Sequence, residues 1–443
     1  MIELYEPQLR AVDRLVAALG KYPAALNASQ TGTGKTIVGL EVARRLALQP
    51  IIVCPIAASA TWEYWGREMG VPPVAVVNPE RLRTGKTPWV SVETQGKQRL
   101  FRWNLANGSR GPGHIVLWDE LHRGLLGEKS QTGAMAAMLR PQGIKTLLMS
   151  ATPFTSPMDM KNSGYLLGCH AFSSPSFWDF CRRHGCKPSH FHRGLEFNPE
   201  SRAAKEHLRR INEFLQDRMV CLTIEDLKEF FGECIVEPTL IKLEERDRAE
   251  IEAVYAEMEE EVKRKGHANP LVDMLRARQR AELLSVPAIA DMVEDSVLEG
   301  NSVYVAQSFR DSVWKLQDRL RDRIDIREIR VLTGDDRQEC RTESVEAFQS
   351  DRAKVLIATL GAGGLSISLH RTKPEQRPRT SILRPTYKAD ELLQGLGRIY
   401  RAGMIGSVVQ RIVLCAGTVE ERVFRRLNAK LKNIETLVDG DLL

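Results

Sequence analysis

Short apolar runs alternate with amphipathic stretches along most of the chain. "AALNAS" (24–29), "IIVC" (51–54), "VAVV" (74–77), "HIVLW" (114–118) and "TLLMS" (146–150) are nearly continuous in hydrophobic character and too short for core helices. Between them, segments such as "TIVGLEVARRLAL" (36–48) carry apolar residues at helical spacing. Strands that are apolar on both faces and separated by helices predict a parallel sheet covered on both sides. The pattern returns in "SVYVA" (302–306), "IRVLT" (329–333), "KVLIAT" (354–359), "SILR" (381–384) and "VVQRIVLC" (408–415). From about 160 to 290 the alternation stops, and "DRAEIEAVYAEMEEEVKRK" reads as a charged amphipathic helix with no strand partner. "LEGNS" (298–302) is a turn into the second sheet. The expected architecture is α/β: a first domain over 1–160, a mainly helical insertion and linker over 161–290, and a second domain over 291–443.

Composition narrows the class. Of 443 residues, 43% are hydrophobic and 27% charged, as in ordinary globular proteins. No apolar run reaches the ~18 residues of a membrane span, and "MIELYEPQLR" has no leader-type apolar stretch. The expectation is a cytoplasmic protein, probed for no membrane partner, with the nucleus left open as a second compartment. Eight scattered cysteines form no disulfide framework and suit a reducing compartment. The net charge of +6 is only mildly basic, but residues 398–432 hold six Arg and two Lys against Glu420 and Glu421. A local basic face points to a polyanion better than the net value does.

The chemistry is carried by three short segments. "SQTGTGKT" (29–36) follows the first strand and opens a helix, the context a phosphate-binding loop requires. Gly32 and Gly34 let the Thr31–Gly34 backbone curl around an anion at a helix N-terminus. Lys35 reaches phosphates and Thr36 holds Mg²⁺, with Thr31, Thr33 and their glycines completing the ATP cradle. Ser29 stands where the strict pattern has glycine, and the rival reading is a glycine turn before a structural helix. "LWDELH" (117–122) ends a strand at the edge where ligands bind in such sheets. Asp119 then completes the metal site and Glu120 orients or deprotonates the attacking water; the rival reading is a plain helix cap. "MSATP" (149–153) places Ser150 and Thr152 where, with His122, they can couple the acidic pair to the state of the phosphate. In the second half, "QGLGRIYRAG" (394–403) sets Arg398 and Arg401 behind Gln394. Arginines of this kind, facing a γ-phosphate from another domain, contribute ~10³–10⁵ in rate and make hydrolysis conditional on domain closure.

In their order, "SQTGTGKT", "DELH", "SATP", "IATLGAGGLSISL" (357–369) and "QGLGRIYRAG" resemble the motifs of superfamily-two helicases and translocases. "AGGLSISL", the "RP" at 384–385, "QGLGRIYRAG" and "GTVEERV" (417–423) are similar to the C-terminal run of SWI/SNF-type DNA translocases. "YEPQLRAV" (5–12) resembles the adenine-recognition stretch of that group, and "VCPIAASATWEYWGRE" (53–68) its first DNA-contact motif. "FWDFCRRHG" through "LEFN" is faintly similar to the annealing-helicase branch. The resemblance spans nearly the whole chain and implies two RecA-like domains, ATP with Mg²⁺, and duplex or forked DNA bound without sequence specificity. It assigns ATP contacts to Gln8, Lys35, Thr36 and Gln394, metal and water handling to Asp119 and Glu120, the finger role to Arg398 and Arg401, and DNA contact to Pro55, Gly363 and Gly364. Three departures argue against histone remodelling and leave strand separation open. "SATPFT" replaces Gly-Thr-Pro followed by Gln-Asn, the arginine pair expected near "RMVCLTIEDL" (218–227) is mostly missing, and there is no chromatin-reading domain.

The expected activity is an ATP-driven, monomeric DNA translocase or helicase core working in replication, repair or recombination, with a replication or recombination protein as partner, in a bacterial or virus-infected cell. Its rivals are a strand-separating helicase on DNA or RNA, and an ATP-gated clamp that does not travel. Gln8 has a second reading as a simple helix start. The cluster Cys169, Cys181, His184, Cys186, His190 and His192 includes zinc-ligand types, but His190 and His192 are too close together for the usual pair, and an ordinary role in an insertion is preferred.

Overall fold

The computed structural model describes residues 3–428 apart from 97, 107–112, 123, 126–129, 190–193, 199–200, 202, 250, 254–269, 361–366, 385, 387–388, 419, 422–423 and 426–427. Two compact units follow one another, with the boundary at Leu227 and Lys228.

The first unit is built on a six-stranded, all-parallel sheet in the order β10-β1-β7-β6-β2-β3. Its strands are β1 (Ala24–Asn27), β2 (Gln49–Val53), β3 (Ala75–Val77), β6 (His114–Asp119), β7 (Lys145–Met149) and β10 (Met219–Val220). Every residue of β1 is buried, as its unbroken apolar run requires. Helices α1 (Glu6–Lys21), α2 (Lys35–Arg45) and α3 (Ser59–Glu68) cover the sheet, and Val12, Leu15 and Leu19 of α1 join Val38, Leu40, Trp62, Leu117 and Met149 in one core. Two antiparallel ribbons are added: β4 (Val90–Gln95) with β5 (Gln98–Trp103), and β8 (Lys187–Pro188) with β9 (Leu195–Glu196).

The second unit repeats the plan: six parallel strands in the order β11-β16-β15-β12-β14-β13. They are β11 (Cys234–Ile241), β12 (Ser302–Gln307), β13 (Ile329–Leu332), β14 (Val355–Thr359), β15 (Arg379–Leu383) and β16 (Val408–Cys415). Helices Val286–Leu298 and Arg310–Leu320 pack on it through Ile289, Val293, Val313 and Leu316. All ten strands expected from the apolar runs are present, within a residue or two at each end.

The mid-chain block corrects the expected division. Residues 161–290 do not form a third unit: the part up to Leu227 belongs to the first unit and the part from Lys228 to the second. The physical reason lies in two strands that short or exposed sequence conceals. β10 is two residues long and closes the first sheet beside β1, with Leu26 opposite Met219. β11 is an edge strand with Ile235, Val236 and Leu240 exposed, so it shows no buried-strand signature, yet it pairs over eight residues with β16. The charged helix expected around 247–265 falls largely on 254–269, outside the described residues.

Candidate ATP site

The phosphate loop lies between β1 and α2, at the carboxyl edge of the sheet. Gly32 has φ +88° and Gly34 φ +90°, the left-handed region that side chains resist. A Cβ on Gly34 would also stand 2.5 Å from Gln8 Nε2, so both φ and space demand glycine there. Lys35 Nζ donates to the carbonyls of Ser29 (2.8 Å) and Gln30 (3.0 Å). Thr36, half-buried, is in the first turn of α2. Gln8 is buried and braces the loop: its Nε2 donates to Thr33 O (2.8 Å), and its Oε1 accepts from Tyr5 N–H (3.0 Å). The bond to Tyr5 is that of a helix start, and the bond to Thr33 places Gln8, the expected adenine contact, against the loop backbone.

Ser29, the departure from glycine, serves the loop from behind. Its N–H donates to Asn27 Oδ1 (3.1 Å), and its hydroxyl accepts from Leu222 N–H (2.9 Å). Gln30 donates its N–H to Leu222 O (2.9 Å) and accepts from Ile224 N–H through Oε1 (2.9 Å). The segment following β10 therefore holds the loop at two residues, four positions before the second unit begins. Just before β10, Arg218 stacks over the ring of Tyr22, 3.8 Å from its centroid, and donates to Leu167 O (3.0 Å), a packing use of the arginine there.

The acidic pair stands at the exit of β6. Asp119 Oδ2 accepts from the Trp62 indole N–H (2.9 Å) and Oδ1 from Glu120 N–H (3.0 Å). Burial, and then the charge of Glu120, raise the Asp119 pKa to about 7, while Trp62 and Lys35 work in the other direction. Glu120 has φ +55°, a strained conformation for a side chain with a Cβ, of the kind concentrated at functional sites. One residue on, Leu121 N–H donates to Met149 O (3.1 Å), so the strained turn is fixed to the neighbouring strand. The His122 ring nitrogen Nδ1 lies 3.3 Å from Glu120 Oε2 and 3.0 Å from Ser150 Oγ. Thr152 N–H donates to the same hydroxyl (3.1 Å). His122, Ser150 and Thr152, drawn from two strand exits, form one hydrogen-bonded group with the Glu120 carboxylate beside it.

The donor set fits Mg²⁺. The Thr36 hydroxyl and Asp119 carboxylate are hard oxygens, and Lys35, the neighbour of Thr36, is close enough for its charge to act on Asp119. Among the described residues there is no cluster of three or more His, Cys, Asp or Glu suited to a metal. Cys181 and Cys186 are buried, with Cys186 N–H donating to Cys181 O (3.0 Å), and His190 and His192 lie outside the described residues.

In the second unit, Arg398 is buried and donates from Nη1 to Ile367 O (2.9 Å). Arg401 donates from Nη1 to Ser368 Oγ (2.8 Å), from Nη2 to Ile367 O (3.0 Å) and from Nε to Gly397 O (2.7 Å). Both arginines thus clamp the end of the 357–369 segment. Burial and the charge of Arg398 press against the protonated form of Arg401. Gln394 is buried on the helix Ala389–Leu396, with its Oε1 unpartnered. Pro55 is half-buried at the exit of β2, while Gly363 and Gly364 lie outside the described residues. The residues missed by sequence reasoning are Trp62, Asn27 and Gln30. Helical periodicity marks Trp62 as core, but no local signal joins it to Asp119, 57 positions away.

A protein of Acanthamoeba polyphaga mimivirus provisionally named as an ATP-dependent RNA helicase is 29% identical over 474 aligned positions, spanning 99% of this chain and 84% of its own length. The Sulfolobus solfataricus SWI2/SNF2 ATPase core, solved in complex with double-stranded DNA, aligns over 99% of this chain and 93% of its own at 12% identity, with a TM-score of 0.36 that carries no weight by itself. No family model matches the chain. With two parallel sheets, a phosphate loop and an acidic pair assembled on the first, the chain is similar along its full length to a helicase-named protein and has the features of a helicase-like ATPase.

Proposed function

We propose that the chain is an ATP-driven motor that moves on duplex or forked DNA. The observation that carries the hydrolytic half is the group at the exits of β6 and β7. Glu120 stands beside a histidine that shares the Ser150 hydroxyl, next to a loop built for phosphate, so a water there meets a carboxylate whose position is set from both strands. Mg²⁺, when bound through Thr36 and Asp119, supplies charge neutralisation of the phosphates. Lys35 exchanges its Ser29 and Gln30 carbonyls for phosphate oxygens, and Glu120 orients the water and takes its proton.

The coupling half rests on Arg398 and Arg401. Both guanidiniums are engaged on loop carbonyls of their own unit, so reaching a γ-phosphate requires exchanging those bonds, and hydrolysis then reports a rearrangement of the second unit. DNA as substrate is supported by the SWI/SNF-like run from "AGGLSISL" to "GTVEERV" and by the basic stretch 398–432. Contacts mainly to phosphate predict binding without sequence preference that weakens with salt. A role in replication, repair or recombination, and a monomeric state, belong to this reading.

A second reading has its own support: the "SATP" segment favours strand separation, and the RNA helicase name carried by the mimivirus relative favours RNA as the substrate. Steady-state ATPase with Mg²⁺ decides between them, compared without nucleic acid and with single-stranded DNA, duplex DNA, forked DNA and RNA. Strong stimulation by duplex or forked DNA is expected. Stimulation by RNA alone supports the second reading, and tight analogue binding with negligible turnover under all conditions leaves only an ATP-gated clamp.

A further inference from the structure

The acidic pair is held by a residue with no role in the reading above. Trp62 is 1% exposed, in the middle of α3, and its indole N–H donates to Asp119 Oδ2 at 2.9 Å. Indole N–H has only this one polar bond to offer, and a buried tryptophan is placed where that bond can be made. The ring is fixed by packing. It belongs to the core formed by α1, α2 and β6, and a Cβ on Gly39 of α2 would already stand 3.4 Å from the ring edge. Asp119 has its other oxygen on Glu120 N–H, so its carboxyl plane is set by two donors, one of them carried by a rigid ring. The nearby Cys54 thiol, its pKa pushed up to about 12 by burial and then by the charge of Asp119, stays neutral and offers no competing charge.

We propose that Trp62 is a positioning residue for the metal site: its N–H fixes the orientation of the Asp119 carboxylate, which together with Thr36 would hold Mg²⁺. This rests on the ATPase reading and adds a residue on α3 to the loop and the acidic pair. Partners that orient a metal-ligating carboxylate typically contribute 10–100-fold to metal affinity. The effect therefore falls on metal dependence, not on nucleotide affinity in the absence of metal.

The test is Trp62→Phe, which keeps an aromatic ring and removes the donor, beside Trp65→Phe as a control on the same helix. Three quantities are measured: the Mg²⁺ concentration for half-maximal turnover, Mn²⁺ affinity of the ADP-bound protein by electron paramagnetic resonance, and nucleotide affinity in EDTA. Trp62→Phe is expected to weaken both metal readouts by roughly ten-fold or more, with affinity in EDTA and the Trp65→Phe values unchanged. Unchanged metal readouts in a folded Trp62→Phe protein overturn the proposal. If that variant does not fold, benzothienylalanine at position 62 keeps the bicyclic shape without the N–H, and the same outcomes decide. A wild-type protein with no metal-dependent nucleotide binding overturns the ATPase reading and this proposal together, and is distinguished by failing before any variant is compared.

Discussion

The two units have the same sheet plan and opposite use of charge. In the first, Lys35, Thr36, Asp119 and Glu120 stand half-buried at the strand exits, Asp119 with its pKa raised by burial and by the charge of Glu120, and Glu120 at positive φ. In the second, the charges lie deeper and are spent on the protein itself. Arg384 and Glu420 are 1% and 3% exposed and paired, Arg379 is buried on Asp351 (2.5 Å), and Arg398 holds a loop carbonyl. Glu282, also buried, accepts from Ser308 N–H (3.1 Å) and Phe309 N–H (2.9 Å), and its charge helps to hold the Arg384 proton. A parallel sheet thus becomes a nucleotide site through what its loops leave available to a ligand, not through its topology.

The sharpest break of this contrast comes from the first unit. Lys35→Ala and Glu120→Gln are each expected to reduce turnover to background while the far-ultraviolet circular dichroism is unchanged, and Glu120→Gln still binds ATP by fluorescence anisotropy. Residual turnover in Glu120→Gln within ten-fold of wild type removes the water-handling role. Next is Arg398→Ala, which tests whether the second unit gives up a buried charge to catalysis. A loss of ~10³ in stimulated turnover is expected for an arginine finger. Normal turnover makes Arg398 a structural clamp on Ile367 and nothing more.

Glu420→Ala sharpens the other side. It leaves Arg384 buried without its partner, and such a truncation costs about 3–5 kcal/mol. Urea unfolding should show the loss, and a change below about 1 kcal/mol would mean that the pair behaves as an exposed one. The smallest effect is a pH dependence in the first unit. Asp119 has its folded pKa raised to about 7, above the ordinary carboxyl value of 3.8, so the fold favours its protonated form. Its contribution to stability is complete below about 4 and is lost as pH rises towards 7. Asp119→Ala, which has no carboxyl to ionise, is therefore expected to shift the melting temperature of the metal-free protein more favourably at pH 8 than at pH 4.5, relative to wild type at each pH. Equal shifts at both pH values remove the burial argument.

Much of this molecule is local information. The ten apolar strands are set by side chains that must be buried on both faces of a sheet, and the phosphate loop by glycines at 32 and 34 that alone tolerate φ near +90°. The acidic pair, "SATP" and the two arginines are legible because each chemistry needs its residue types next to one another in the chain. Tertiary structure decided what depends on partners far away in sequence. β10 and β11 carry no signal of their own and exist because β1 and β16 offer an unpaired edge. The division at Leu227 follows from those two pairings, and so the helical block was assigned to neither side by sequence. Trp62 on Asp119, Gln8 on Thr33 and Ile224 on Gln30 are bonds across 57, 25 and 194 positions. A hydrogen bond within an element repeats with a period that sequence displays, whereas one between elements depends on how helices settle on the sheet, and that is fixed only when the core packs.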